Sequence, residues 1–185
     1  MSFPVLLDAC VLLPIKLADT LLRLAEAGTY RPLWSAEVLA EVERNLPQVG
    51  VPPAKARWRV QQMREAFPDA LVTGYEALTP VMPNDPKDRH VLAAAVLAHA
   101  ALIVTANLRD FPAAALDRYD IRAIHPDDFL LDQFCLYPAS TLLCLHEQIA
   151  ACRNPELSIT EFLTPFKKTV PRFADAVWAP LLSTL

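Results

Sequence analysis

Four acidic residues of this 185-residue chain stand beside the ends of apolar segments, where carboxylates can support metal-dependent chemistry. Asp8 and Asp110 follow two apolar runs, whereas Glu41 and Asp88 lie in segments with helical patterns. Carboxylates that gather at one place repel one another and resist ionisation unless cations neutralise them. Hard oxygen ligands favour Mg²⁺ or Mn²⁺, and such a centre can activate water and stabilise the leaving oxygen of a phosphodiester. The pattern therefore points to a metal centre.

Strands and helices alternate along the first two thirds of the chain. Short apolar runs predict strands at residues 101–105 and 121–124 and within residues 3–11, where Asp8 falls at or near the end of the strand. Further extended segments are expected at 31–34 and 71–72. Helical patterns cover residues 15–27, 36–46, 54–67 and 91–100, and Ser35 is the predicted N-cap of the second of these helices. This alternation implies a parallel sheet with right-handed crossovers.

The carboxyl ends of parallel strands share one edge of a sheet, and ligands bind at that edge. We therefore expect Asp8 and Asp110 to meet there, beside the start of the helix that carries Asp88. Glu41 shares one helix face with Glu37, four residues earlier, so the two are rivals for a place in the centre.

The pattern changes beyond about residue 128. The segment from Asp132 to Pro180 has a helical pattern that is interrupted by prolines, at positions 138, 155, 165 and 171. We therefore expect an α/β domain over residues 1–128 and a helical C-terminal extension over residues 129–185.

Composition excludes several classes of protein. The three glycines lie far apart, which excludes a dinucleotide-binding loop and a P-loop. The four cysteines form no C-x-x-C pair, so we expect reduced thiols in the core. The longest apolar run, residues 91–104, is too short to span a bilayer, and the N-terminus lacks the features of a signal peptide. We therefore expect a cytoplasmic protein without a membrane partner.

Four segments resemble PIN domains, most closely those of the VapC-like bacterial branch. They are residues 5–11 (VLLDACV), the helix with Glu41, residues 85–95 (DPKDRHVLAAA) and residues 103–112 (IVTANLRDFP). The resemblance covers roughly residues 1–128 and implies a PIN-like three-layer α/β fold with a central parallel sheet.

The resemblance also implies an activity, a cofactor and partners. PIN domains of this branch are Mg²⁺- or Mn²⁺-dependent endoribonucleases that hydrolyse RNA with a metal-activated water, often as the toxin of a VapBC toxin–antitoxin pair. An RNA substrate and a cognate antitoxin protein are therefore the implied partners, and homodimers are common in this branch. The implied catalytic and metal-binding acids are Asp8, Glu41, Asp88 and Asp110, with Thr105 in support through a hydrogen bond.

Asn107 departs from the family pattern, because many members have Asp at this position. Its side chain can offer a carbonyl oxygen or hold a water molecule, but it brings no charge. Either Asp110 compensates, or a second metal ion binds weakly.

The densest basic patch lies in the helix predicted at residues 54–67. It contains Arg57, Arg59 and Arg64 around the aromatic Trp58. Such a patch can follow an RNA backbone with a stacking aromatic, form a solvated helix face, or dock an acidic partner. The net charge of −4 argues against tight, sequence-independent RNA binding.

Two other functions share the resemblance with the toxin. One is a housekeeping RNA-processing nuclease, and the other is a catalytically inactive PIN-like binding module, which Asn107 alone favours. A phosphatase of the haloacid dehalogenase type also begins with a strand and an Asp. It needs a second Asp two residues later, where this chain has Cys10.

Overall fold

The computed structural model describes residues 3–153 and 156–183. The chain folds into two compact units. The sheet unit comprises Met1–Leu13 and Tyr30–Ile124, and the helical unit comprises Pro14–Thr29 and His125–Leu185. The C-terminal part of the helical unit thus begins four residues before the start expected from the sequence, and the unit also takes in an early segment of the chain. The division at residue 128 remains a prediction.

A five-stranded parallel sheet forms the centre of the sheet unit. Its strands are β1 (Pro4–Leu7), β2 (Arg31–Ser35), β3 (Leu71–Val72), β4 (Leu102–Val104) and β5 (Arg122–Ile124), in the order β3-β2-β1-β4-β5. The central strand β1 pairs with both β2 and β4, so that Leu6 lies between Leu33 and Ile103. Leu6 is fully buried, as expected for a strand covered on both faces. The predicted α/β fold with a parallel sheet is therefore confirmed.

The first six α-helices of the described chain alternate with the strands, and the others follow β5. They are α1 (Ala9–Leu12), α2 (Ile15–Glu26), α3 (Ala36–Asn45), α4 (Pro53–Ala66), α5 (Arg89–Leu97), α6 (Ala113–Leu116), α7 (Pro126–Leu136), α8 (Pro138–Ala151), α9 (Ile159–Leu163), α10 (Phe166–Thr169) and α11 (Pro171–Ser183). Within residues 3–153 and 156–183, none of them combines the length and apolar character that crossing a bilayer requires.

Local chemistry explains where α3 and α5 begin. The Ser35 hydroxyl accepts a hydrogen bond from the Val38 N–H at 3.1 Å, so Ser35 is the N-cap of α3 as predicted. A short 3₁₀ turn, Pro86–Asp88, precedes α5, which begins two residues earlier than its apolar pattern indicates. All residues of α5 from position 90 to 95 are buried, so alanines dominate its sequence where neighbours approach closely.

The helical unit has its own core. The rings of Phe162 and Phe166 lie 5.3 Å apart between centroids, and those of Phe166 and Phe173 lie 6.4 Å apart. The predicted helical C-terminal region is therefore confirmed. Three of the predicted proline breaks fall at or next to a helix start, at positions 138, 165 and 171, whereas Pro155 lies outside the described residues.

A buried carboxylate of α7 closes the start of α11. Asp127 Oδ1 accepts the N–H of Phe173 at 2.8 Å, and Oδ2 accepts the N–H of Arg172 at 3.2 Å. The first N–H groups of a helix have no partner within the helix, so this carboxylate replaces a conventional N-cap. Its neighbour Asp128 forms an ion pair with the Arg172 guanidinium and is about half exposed.

We predict that Asp127→Ala lowers the free energy of unfolding by about 2 kcal/mol, because it leaves two buried N–H groups without acceptors. The matched control is Asp128→Ala, which removes only an exposed ion pair and should change the free energy by less than about 1 kcal/mol. Urea denaturation followed by circular dichroism measures both changes. Equal losses in the two variants would contradict the assignment of this cap.

Candidate active site

The ends of β1 and β4 bring two of the predicted site residues together. Leu7 pairs with Val104, so the next residues, Asp8 and Thr105, leave the sheet side by side. The Thr105 hydroxyl donates a hydrogen bond of 2.7 Å to Asp8 Oδ2, and both side chains are buried. The same Thr105 oxygen accepts the N–H of Asn107 at 3.0 Å. Thr105 therefore links the Asp8 carboxylate to the loop that follows β4.

Cys10 is a second donor to the Asp8 carboxylate. Its Sγ lies 3.1 Å from Asp8 Oδ2, and Sγ also accepts the N–H of Ala106 at 3.3 Å. Burial, together with the charge of Asp8, raises the pKa of Cys10 to about 12, so the thiol keeps the proton that it donates. The sequence indicates only a core thiol here, because nothing in a lone cysteine shows what it faces.

Asp88 and Asp110 lie at the same edge of the sheet. Asp88 stands at the N-cap position of α5, and Asp110 ends a 3₁₀ turn that follows β4. Burial raises the pKa of Asp88, and the nearby carboxylates of Asp8, Asp110 and Asp85 add to this effect, so that the pKa reaches about 6 despite the opposing charge of Lys87. Asp8 and Asp110 therefore lie within electrostatic reach of Asp88.

One cation already lies among these acids. Lys87 Nζ is 3.1 Å from Asp110 Oδ2 and 3.9 Å from Asp88 Oδ2. Asp88 Oδ2 is buried and accepts no hydrogen bond from the described residues. The sequence shows Lys87 next to Asp88, but it does not show that the lysine turns towards Asp110.

Glu41 is held by a histidine of α5. His90 Nε2 lies 3.1 Å from Glu41 Oε1, and His90 Nδ1 lies 3.9 Å from Glu37 Oε2. The Tyr75 hydroxyl donates to the other oxygen of Glu37 at 3.1 Å. Glu37 and Glu41 thus face the same imidazole, and sequence spacing shows only that they share a helix face.

The pKa of His90 reflects its two glutamate neighbours. Burial by itself lowers the pKa, but the hydrogen bond to Glu41 and the charges of Glu41, Glu37 and Asp8 together raise it above its ordinary value. A protonated imidazole stabilises both glutamate carboxylates. His90 therefore supports Glu41 rather than lying in an apolar contact.

Asn107 reaches this region through its backbone. Its side chain is exposed and forms no capping hydrogen bond, whereas its carbonyl accepts the N–H of Asp110 at 3.0 Å. The residue thus shapes the turn that carries Asp110. Its amide brings no charge to offset or add to the carboxylates nearby.

The donor set fits a hard divalent cation in its chemistry. Asp8, Asp88 and Asp110 offer carboxylate oxygens, and the buried Asp88 Oδ2 lacks a hydrogen-bond donor. In the described part of the chain, no three His, Cys, Asp or Glu side chains already form a group that could hold a metal ion. The carboxylates are therefore gathered at one edge but are not arranged as a finished coordination shell.

The basic patch lies on another face of the sheet unit. Arg57, Trp58 and Arg64 of α4 line a groove of about 460 Å³ against α3. Trp58 is 64% exposed. Arg59 points elsewhere, since its Nη2 donates to the Leu12 carbonyl at 2.9 Å. The structure thus separates Arg59 from the two other arginines of the predicted patch.

Comparison with known proteins covers both parts of the chain. Residues 4–109, more than half of the chain, match the PIN domain family, and residues 126–178 match the family described as the VapC50 C-terminal domain. A Mycobacterium tuberculosis (strain ATCC 25618 / H37Rv) protein named "Putative ribonuclease VapC50" is 46% identical over 105 residues, which are 57% of this chain and 62% of the relative. No solved structure matches the chain.

The matched segment thus spans less than two thirds of the relative's length. The PIN match contains Asp8, Glu41 and Asp88 and ends one residue before Asp110. Together, the two family matches confirm the resemblance to the VapC-like branch. With its parallel sheet and the acids at the carboxyl edge of that sheet, this chain belongs to the PIN domain family.

Proposed function

We propose that this protein is a metal-dependent endoribonuclease and the toxin of a VapBC-type pair. The convergence of Asp8, Asp88 and Asp110 at the carboxyl edge of the sheet carries the proposal. The name of the 46% identical relative supports an action on RNA. The chemistry is hydrolysis of phosphodiester bonds, with 5′-phosphate and 3′-hydroxyl ends as products.

Mg²⁺ or Mn²⁺ is the proposed cofactor, with carboxylates as its ligands. The residues that would hold it are Asp8, Glu41, Asp88 and Asp110, with Thr105 and Asn107 in support. When bound, such an ion activates water and neutralises charge that develops on the phosphate. The raised pKa of Asp88 supports this assignment, because crowded carboxylates gain most from a cation.

The chain itself fixes the orientation of the first acid. Thr105 and Cys10 both donate to Asp8 Oδ2, at 2.7 and 3.1 Å. Two donors on one oxygen limit rotation of the carboxylate, which keeps its position constant before substrate binds. Thr105 and Cys10 are therefore positioning residues in this proposal.

Glu41 is held in a different way from Asp8. His90 belongs to α5, the helix that Asp88 opens, and it reaches Glu41 on α3 at 3.1 Å. This contact ties the position of Glu41 to the helix that carries Asp88. His90 is therefore a positioning residue for Glu41.

The groove between α3 and α4 is the proposed RNA-binding surface. Arg57 and Arg64 supply positive charge for phosphates, and the exposed Trp58 offers a face on which a base can stack. Glu43 also lines the groove and reduces its net positive charge. The proposed binding is therefore moderate in affinity and sensitive to salt.

Two alternatives remain. A housekeeping RNA-processing nuclease would use the same acids on a different RNA. A catalytically inactive PIN-like module is favoured by the exposed, uncharged Asn107. A cognate antitoxin and a homodimer are the proposed protein partners. Co-expression with the product of the neighbouring reading frame tests the antitoxin.

We predict that the purified protein cleaves RNA with Mn²⁺ or Mg²⁺ and that EDTA abolishes this cleavage. Asp88→Asn should reduce the rate about a hundredfold or more, because it removes a charged oxygen ligand. The matched control is Asp69→Asn, the same chemical change at an exposed position of the sheet unit. The measurement is the rate of appearance of new 5′-phosphate ends on total tRNA and on an unstructured RNA.

Equal cleavage by the wild-type protein and Asp88→Asn would contradict the proposed site. Absence of cleavage with either metal, together with calorimetry that detects no Mn²⁺ binding, would favour the inactive module. Cleavage that persists in EDTA would contradict metal dependence.

We predict that the double variant Arg57→Gln/Arg64→Gln binds single-stranded RNA more weakly and with a smaller salt dependence. The slope of log K against log salt should fall by about 1 to 2, since two phosphate contacts are lost. Arg31→Gln/Arg122→Gln is the control, because it removes the same charge from exposed positions outside the groove. Fluorescence anisotropy on an Asp88→Asn background avoids cleavage. An unchanged slope would contradict an RNA-binding groove.

A further inference from the structure

The side chain of Lys87 differs from the acids that it contacts in one important respect. Its side chain is 61% exposed, whereas those of Asp88 and Asp110 are 13% and 9% exposed. The carboxylates are therefore fixed in the protein, and the ammonium group reaches them from solvent. A long, exposed side chain of this kind can rotate away without disturbing the core.

The backbone around Lys87 explains why it reaches this position. Asp85 Oδ1 accepts the Lys87 N–H at 3.1 Å, and the Asp85 carbonyl accepts the Asp88 N–H at 3.0 Å. The Asp85 N–H in turn donates to the Asp110 carbonyl at 3.4 Å. The turn before α5 and the turn after β4 are thus joined through the backbone, and Lys87 extends from this junction.

The ammonium group balances a local excess of negative charge. The hydrogen bond to Asp110 and the charges of Asp110, Asp88 and Asp85 raise the pKa of Lys87. Arg109 is the other cation here, with Nε 3.8 Å from Asp110 Oδ1, but its side chain is 88% exposed. Lys87 is the one of the two that also approaches Asp88.

A divalent ion and an ammonium group repel each other when both approach the same carboxylate oxygens. A divalent ion that binds the carboxylates of Asp88 and Asp110 would repel an ammonium group 3 to 4 Å from the same oxygens. The ion carries the larger charge and the lysine is free to move into solvent. The exchange should therefore release Lys87 rather than block the metal permanently.

We propose that Lys87 is the resident counter-ion of the acidic cluster and that a divalent cation binds Asp88 and Asp110 in competition with it. This inference rests on the proposed metal site. In the metal-free protein Lys87 offsets the repulsion between the carboxylates, and in the metal-bound protein that task passes to the ion. Lys87 therefore sets the metal affinity of the site.

The test compares metal binding and stability of Lys87→Gln with the wild-type protein. Isothermal calorimetry with Mn²⁺ should show about fivefold tighter binding by the variant, because no ammonium group has to be displaced. The melting temperature of the metal-free variant should fall, because its carboxylates lose their counter-ion. Saturating Mn²⁺ should remove this difference in melting temperature.

Three further variants make the test specific. Lys87→Arg keeps the charge and should return the Kd for Mn²⁺ towards the wild-type value. Lys55→Gln makes the same charge change at an exposed position of α4 and should leave the Kd unchanged. Arg109→Gln removes the nearby charge that does not approach Asp88 and should have a smaller effect than Lys87→Gln.

Each outcome either supports or overturns the competition. If the wild-type protein binds Mn²⁺ and the Kd of Lys87→Gln is unchanged or higher, the competition by Lys87 is overturned but the proposed metal site is not. Equal effects of Arg109→Gln and Lys87→Gln would show a general field instead of competition and would overturn it too. Absence of Mn²⁺ binding in both the wild-type protein and Lys87→Gln would overturn the proposed metal site and this inference together.

Discussion

The crowding of carboxylates at one edge of the sheet is the constraint on which the rest of the site depends. Burial, together with the neighbouring carboxylates, raises the pKa of Asp88 to about 6. Hydrogen-bond donors and one lysine offset part of the repulsion between these carboxylates. Thr105 and Cys10 donate to Asp8, and Lys87 contacts Asp110. A cation that binds the folded state alone would relieve the remainder and stabilise the fold.

The architecture produces this crowding through simple pairing rules. The strands β1 and β4 are parallel neighbours in the centre of the sheet, so the residues that follow them leave the sheet at the same edge. The helix α5 is buried along most of its length, which fixes its N-terminus beside them. Because each carboxylate is attached to a rigid element, none can move far from the others. The repulsion is therefore a property of the fold, and it is available as binding free energy for a metal ion.

The parts of this site that follow from periodicity are predictable from the sequence. The alternation of strands and helices predicted the parallel sheet, and thus a meeting between Asp8 and the segment that follows β4. The contact of His90 with Glu41 is not predictable in this way, because 49 positions separate the two residues and only packing of α5 against its neighbours brings them together. The orientation of the Lys87 side chain is not predictable either, because Asp110 rather than the local sequence orients it. Nor did periodicity indicate that residues 14–29 belong with the helical unit, since an amphipathic helix does not specify its partner.

The most direct measurement of the central claim is anomalous diffraction from a crystal of this protein soaked in Mn²⁺. We expect an anomalous peak in contact with the carboxylates of Asp8, Asp88 and Asp110 at the carboxyl edge of the sheet, with the Lys87 side chain turned away from Asp110. Peaks confined to other surfaces, or no peak under conditions in which RNA is cleaved, would show that the crowded carboxylates are not a metal site.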